Sequence, residues 1–116
     1  MRKPVDFSDE KLKALAELSK NIRLQGLSMA KASGGRGAHL GGSFSCVEIM
    51  AVLYGEILEI DPKDPLNPKR DRFYPSKNHC TLSHLPALSS RGFISAEELL
   101  EFQKDGGRLT GYPRRL

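Results

Sequence analysis

Gly34-Gly35-Arg36-Gly37-Ala38-His39-Leu40-Gly41-Gly42 runs through Ser43-Phe44 into Ser45-Cys46-Val47-Glu48-Ile49-Met50-Ala51-Val52-Leu53-Tyr54. Consecutive glycines weaken a helix by about 1 kcal/mol each and favour a turn or loop. They also let backbone amides approach a ligand closely, with the guanidinium of Arg36 and the imidazole of His39 beside it. A surface turn would use the same glycines, and spacing alone leaves both readings open. Neither Gly-x-Gly-x-x-Gly nor Gly-x-x-x-x-Gly-Lys-Ser/Thr occurs in the stretch, which excludes nucleotide binding by those motifs. Ser45 and Glu48 match a capping box and predict a helix start there. Val47 to Leu58 is then too apolar all round for a surface helix, so that element is expected to be buried on most sides.

Upstream, Ser8 followed by Asp9 and Glu10 suits a helix N-terminus, because the hydroxyl accepts an orphan amide and the acids face the positive dipole end. Leu12, Leu15, Leu18 and Ile22 recur at three and four residues, predicting an amphipathic helix to about Ala32. Downstream, Asp61-Pro62-Lys63-Asp64-Pro65-Leu66-Asn67-Pro68 has three prolines in seven positions and must be an irregular connection. Arg72-Phe73-Tyr74, closed by Pro75, is the one short strand expected, near 72–75. A third helix is predicted within Cys80–Arg91, ending at Gly92, with Pro86 kinking it or resetting its start. Ser95 and Glu98 repeat the capping box, so a fourth helix is expected from about Ala96 to Gln103 or Lys104. One strand among four helices cannot form a sheet with itself, and partner strands are expected from elsewhere. Residues 1–116 are thus read as a single partial domain, mostly helical.

The chain has 116 residues, 39% of them hydrophobic and 28% charged, which fits one soluble unit with a small core. Its longest apolar run, Ile49–Tyr54, is far below the roughly 20 residues a membrane crossing needs. The N-terminus has no apolar signal segment, so a cytoplasmic location is expected and Cys46 and Cys80 are read as free thiols. The net charge of +4 is dispersed: residues 1–36 sum to +4, 37–60 to −3, 61–79 to +2, 80–103 to −2 and 104–116 to +3. A nucleic-acid surface concentrates Lys and Arg with aromatic residues between them, and this chain does neither. Neither nucleic acid nor membrane is expected as a partner.

Three histidines carry most of the chemical potential. His79 follows the expected strand, and ligands of open α/β sheets bind beyond the carboxyl ends of strands. An imidazole there can donate to or accept from an anionic or polyol ligand near neutral pH; a solvated loop histidine is the plain alternative. Cys80 and His84, spaced i, i+4, would share a helix face and with His79 or His39 could surround zinc. No Cys-x-x-Cys or His-Glu-x-x-His pattern supports that, and packing is the simpler role for His84. Glu97, Glu98 and Glu101 read as a solvated helix start. No Gly-x-Ser-x-Gly elbow presents a nucleophile, so a hydrolase is unsupported.

Three ordered strings, Gly37-Ala-His39-Leu-Gly-Gly-Ser-Phe-Ser45, Asp71-Arg-Phe-Tyr-Pro-Ser-Lys-Asn-His79 and Gly107-Arg-Leu-Thr-Gly-Tyr112-Pro113, together resemble the N-terminal region of transketolase. The resemblance runs from about Leu12 to Pro113. It implies the N-terminal part of an α/β thiamine diphosphate-binding fold, in an enzyme that moves a two-carbon ketol unit from a ketose or its phosphate to an aldose or its phosphate. It also implies a cofactor held between subunits. His39 resembles the family histidine that touches substrate hydroxyls, and is the catalytic candidate. His79 is similar to the histidine on the cofactor diphosphate, where an imidazole N–H makes a charge-assisted hydrogen bond. Tyr112 stands where the family has a histidine at the substrate entrance; a phenol still donates to a sugar hydroxyl but, with a reference pKa of about 10, does not shuttle protons near neutral pH. Asn78 replaces a family glycine, and Pro75 and Pro86 stand where the family has a strand residue and a helix former.

The Gly-Asp-Gly motif with its downstream Asn, which binds Mg²⁺ and the diphosphate in the family, does not occur; Asp105-Gly106-Gly107 is a different string. The glutamate that activates the cofactor's pyrimidine ring is absent as well. The metal ligands are therefore expected outside this chain, which should need a complementary subunit or segment, in a dimer or larger assembly, for activity. The other reading is a non-catalytic interaction or structural remnant of that fold.

Overall fold

A computed structural model of the chain describes residues 2–34, 40–76, 79–104 and 106–109. Helix α1, Asp9–Ala32, starts where the sequence places it: Ser8 adopts extended backbone and its hydroxyl accepts the Lys11 amide at 3.2 Å. Asp9 and Glu10 occupy the first turn and Lys31 the last, each at the dipole end that favours its charge. The buried face is Ser19, Ile22, Gly26 and Met29, at alternating three- and four-residue steps. Only the C-terminal part of the expected stripe is covered. Leu12 is 50% exposed, whereas Leu15 and Leu18 close over Gly55, where a Cβ would meet their methyl carbons at 2.5 and 3.0 Å.

The glycine-rich stretch is not loop throughout. Helix α2, Leu40–Phe44, forms before Ser45, so the expected capping box does not exist. Ser45 sits in the turn between helices and its hydroxyl donates back to the Gly42 carbonyl at 2.9 Å. Glu48 is drawn into an ion pair with Arg23 of α1 instead. Helix α3, Val47–Val52, is N-capped by Cys46 without a side-chain bond and continues as a π-helical turn, Leu53–Ile57. The π turn closes with the Leu58 amide on the Leu53 carbonyl at 2.8 Å. Burial on most sides is also corrected: Val47, Met50, Ala51 and Tyr54 face inward, but Ile49 is 58% and Val52 40% exposed.

Helix α4, Thr81–Ser90, carries Pro86 inside it. Proline brings no amide to the Leu82 carbonyl four residues back. That carbonyl faces Gly26 of α1, where a Cβ would lie 2.5 Å from it. The missing donor and the missing side chain therefore meet at one helix crossing. α4 ends as predicted near Gly92: the Gly92 amide binds Ser89 O at 3.0 Å, the Phe93 amide binds Leu88 O at 3.1 Å, and Gly92 has φ +89°. This is a Schellman ending, with Phe93 and Leu88 packed in the same cluster. Ser95 caps helix α5 by accepting the Glu98 amide at 3.1 Å, but α5 is only Ala96–Leu99. Tighter turns follow, and Gln103 takes φ +59°, which ends the helix before the expected Gln103–Lys104.

Two cores result. Ile22, Val47, Met50, Ala51, Tyr54, Cys80 and Ala87 form one between α1, α3 and α4. Met29, Leu82, Ile94, Leu99, Phe102 and Leu109 form the other, between α1, α4 and α5. The strand expected near 72–75 is absent. No strand occurs among the described residues, since nothing there offers an edge for a ladder. The α/β expectation therefore stands only in its helical part. No described helix is long and apolar enough to cross a membrane.

Candidate cofactor and substrate site

His79 lies on the turn that leads into α4, and its residue is exposed. What holds the turn is α2. A Cβ on Gly42 would stand 2.7 Å from the His79 carbonyl oxygen and 2.9 Å from its Cβ, so only glycine permits this approach. The neighbouring Ser43 hydroxyl donates to the same carbonyl at 3.3 Å. The glycine-rich stretch and the His79 turn, 36 residues apart, are thus brought into contact through Gly42 and Ser43. His39 and Tyr112, the two expected substrate contacts, lie outside the described residues, as do Arg36, Lys77 and Asn78.

Beside His79 is an open cavity of about 230 Å³, lined by Cys46, Ile49, Met50, Phe73, Tyr74, Pro75, Ser76 and Cys80. Its walls are mostly apolar and two of them, Ile49 and Tyr74, project outward at 58% and 80% exposure. Cys46 and Cys80 are thiols, not joined in a disulfide, as expected.

Behind the turn is an aromatic knot that sequence reading did not find. Tyr54 and His84 share a 2.7 Å hydrogen bond between the phenol oxygen and Nε2. Phe73 meets both rings edge-on, at centroid distances of 6.4 Å to Tyr54 and 5.4 Å to His84. Burial pushes the His84 imidazole down to about 4, so the ring is neutral and shares a single proton with the Tyr54 phenol, from Nε2 or from the hydroxyl according to the tautomer. Burial likewise pushes the Tyr54 phenol up to about 12. Cys80 and His84 do not act together on one helix face as metal ligands would: the imidazole is committed to Tyr54. Among the described residues no group of three or more His, Cys, Asp or Glu comes together to hold a metal ion.

Two anchors fix the segment that leads to the site. The Asp71 carboxylate takes both guanidinium nitrogens of Arg2 at 2.7 Å and the Glu59 amide at 2.8 Å. The Arg2 hydrogen bonds, then the Glu59 amide, bring Asp71 down to about 2. Arg91, just past α4, donates to the carbonyls of Tyr54 at 2.8 Å and Ile60 at 3.0 Å, capping the π turn. The Ser43 and Tyr54 bonds cross 36 and 30 residues, and no local spacing rule reports them. The Gly-Gly-Ser of α2 was the usable signal, since adjacent glycines next to a hydroxyl mark a close backbone approach.

The described residues define a class: a helical portion of a larger domain, with an exposed histidine on a turn that a glycine backs. Its family follows from the chain as a whole. Residues 16–115 match the family described as "Transketolase, thiamine diphosphate binding domain". The chain is 37% identical over 78 residues to an apulose-4-phosphate transketolase subunit of Phocaeicola vulgatus, covering 67% of this chain and 28% of that protein. It is 38% identical over 77 residues to the protein of the same name from Actinobacillus succinogenes, covering 66% and 28%. To Homo sapiens transketolase it is 33% identical over 104 residues, covering 90% of this chain and 16% of that protein. The chain belongs to the transketolase family, as an N-terminal section of its thiamine diphosphate-binding domain. It spans little more than a quarter of the two bacterial relatives and less of the human one.

Proposed function

We propose that this chain is the front part of a thiamine diphosphate-dependent transketolase, active in the cytoplasm once a complementary segment or subunit completes it. The reaction is transfer of a two-carbon ketol unit from a ketose or its phosphate to an aldose or its phosphate. The observation that carries the reading is the His79 turn, presented outward and backed by Gly42 within a chain of this family. An imidazole in that position fits a diphosphate oxygen: it offers an N–H donor, and its backbone is fixed by a contact that a larger residue would fill. When bound, thiamine diphosphate supplies stabilisation of carbanion charge on the transferred unit. His79 binds the diphosphate and orients it. His39 binds and orients the substrate hydroxyls as the catalytic contact, and Tyr112 donates to the sugar at the entrance.

Mg²⁺ belongs to the same reading, with its ligands outside this chain, since no Gly-Asp-Gly occurs in it. The partner is a complementary transketolase subunit or segment, in a dimer or larger assembly. The names of three relatives, each called a transketolase subunit, support a divided enzyme. Residues 1–116 form one partial domain of it.

Calorimetric titration of thiamine diphosphate with Mg²⁺ tests the proposal, first into the chain alone and then with a polypeptide carrying Gly-Asp-Gly. Weak or no binding and no turnover are expected alone; binding and ketol transfer are expected in the mixture, and His79→Ala should weaken the binding by about tenfold or more. Binding indifferent to His79→Ala defeats the assignment of that residue, and a mixture that never transfers a ketol unit defeats the enzyme.

A further inference from the structure

We propose that Ser43 is the positioning residue of the His79 turn, holding from a separate helix the backbone that carries the imidazole. Ser43 has no solvent exposure. Its hydroxyl oxygen accepts the Leu82 amide at 3.0 Å and its proton goes to the His79 carbonyl at 3.3 Å. Both bonds leave α2 for the start of α4. Leu82 is the second residue of α4, where an amide has no partner within the helix. The residue at the N-cap position, Cys80, makes no side-chain cap bond. Ser43 therefore does from another element what a capping side chain does locally, and in the same geometry it grips the residue just before that cap.

A second buried serine completes the hold. Ser83, also without exposure, donates to the Cys80 carbonyl at 3.0 Å. Its oxygen also lies 3.3 Å from the Cys46 sulfur, a contact in which either atom can be the donor. The carbonyls of His79 and Cys80 are consecutive, and each is held by a buried hydroxyl. Gly42 supplies the clearance and Ser43 an attachment: without the hydroxyl the two backbones still touch, but the bonds to the His79 carbonyl and the Leu82 amide are lost. The diphosphate named as the ligand rests on the proposed function, whereas the hold on the turn does not.

The test uses the full chain mixed with the polypeptide carrying Gly-Asp-Gly, and inorganic pyrophosphate with and without Mg²⁺, followed by the His79 ring resonance in NMR. Amide hydrogen exchange at Leu82 is read in parallel. Ser43→Ala is expected to speed exchange at Leu82 by about tenfold while amides in the middle of α1 keep their protection, and to raise the half-saturating pyrophosphate by about tenfold. Ser43→Thr, which keeps the hydroxyl, should restore both. Unchanged Leu82 exchange overturns the proposal, as does faster exchange with an undiminished pyrophosphate response, which would leave Ser43 merely structural. If Ser43→Ala does not fold, Ser43→Cys, a far weaker donor and acceptor, is put through the same pair of measurements, and the same two results decide. A native mixture in which His79 never responds to pyrophosphate defeats the diphosphate reading instead, and Leu82 exchange with His79 backbone relaxation then decides on Ser43.

Discussion

The two sides of α3 obey different rules. Toward α1 and α4 every large side chain is covered and the polar groups are matched: Tyr54 to His84, the Tyr54 carbonyl to Arg91, and the Glu56 carboxylate to the Asp6 amide and Lys11. Toward the 72–76 segment, Ile49 and Tyr74 stand largely in solvent around an apolar cavity. Together with Met50, Phe73 and Pro75 they make an apolar patch that this chain leaves uncovered. The closed side carries the shared core; the open side leaves apolar surface exposed. The relatives extend well beyond the part that matches this chain, which covers 28% of one and 16% of another.

The contrast breaks most visibly where the closed side is tightest. Gly26→Val puts a branched side chain where a first carbon already lies 2.5 Å from the Leu82 carbonyl and 3.1 Å from the Phe44 ring. Overpacking against backbone should lower unfolding free energy by about 3 kcal/mol, measured by urea melts. Retained stability would mean that α1 and α4 slide freely and the Pro86–Gly26 fit is incidental.

Next in size is an acid-side loss of stability. His84 holds an imidazole pKa of about 4 in the fold against a reference of 6.5. Between those values the unfolded chain binds a proton that the folded chain refuses. Stability should therefore be full above pH 6.5 and fall by about 3 kcal/mol as pH drops to 4. In the His84→Phe variant that slope should vanish. Tyr54 acts at the other end: its phenol, at about 12 in the fold and 10 otherwise, should cost stability as pH rises from 10 to 12. Tyr54→Phe, which leaves Nε2 of His84 without its hydrogen-bond partner, is expected to lose about 1–2 kcal/mol at neutral pH.

Much of this arrangement is legible in the residues alone. Ser8 and Ser95 announce their helices because an N-cap is a local device, settled within four residues. Gly92 announces the end of α4 for the same reason. Ser45 misleads because it has the same spacing to Glu48, yet Arg23, from another helix, competes for that carboxylate. The strand near 72–75 is suggested by composition, but a strand is a relation between two segments and its partner is not among the described residues. Ser43, Tyr54 and His84 act across 30 to 39 residues, so their roles appear only when the helices are assembled. Of the expected site residues, His79 is legible as a polar group beyond an irregular segment; that a glycine and a serine of α2 hold it is not.

The smallest effect on the isolated chain should come from the open side, and it separates the two sides most sharply. Tyr74→Ala and Ile49→Asp alter side chains mainly in water, so each should change the urea midpoint by no more than about 0.5 kcal/mol in stability. The same substitutions should weaken assembly with a polypeptide carrying the rest of the domain, by about 1–2 kcal/mol for each apolar side chain whose burial is lost. A carboxylate at position 49 should do more harm than alanine at 74, since an unpaired charge resists removal from water. Sedimentation of the mixture reads assembly directly. If Ile49→Asp destabilised the isolated chain as much as Gly26→Val, the open side would belong to the core after all; if it left assembly intact, the additional polypeptide would have to dock elsewhere.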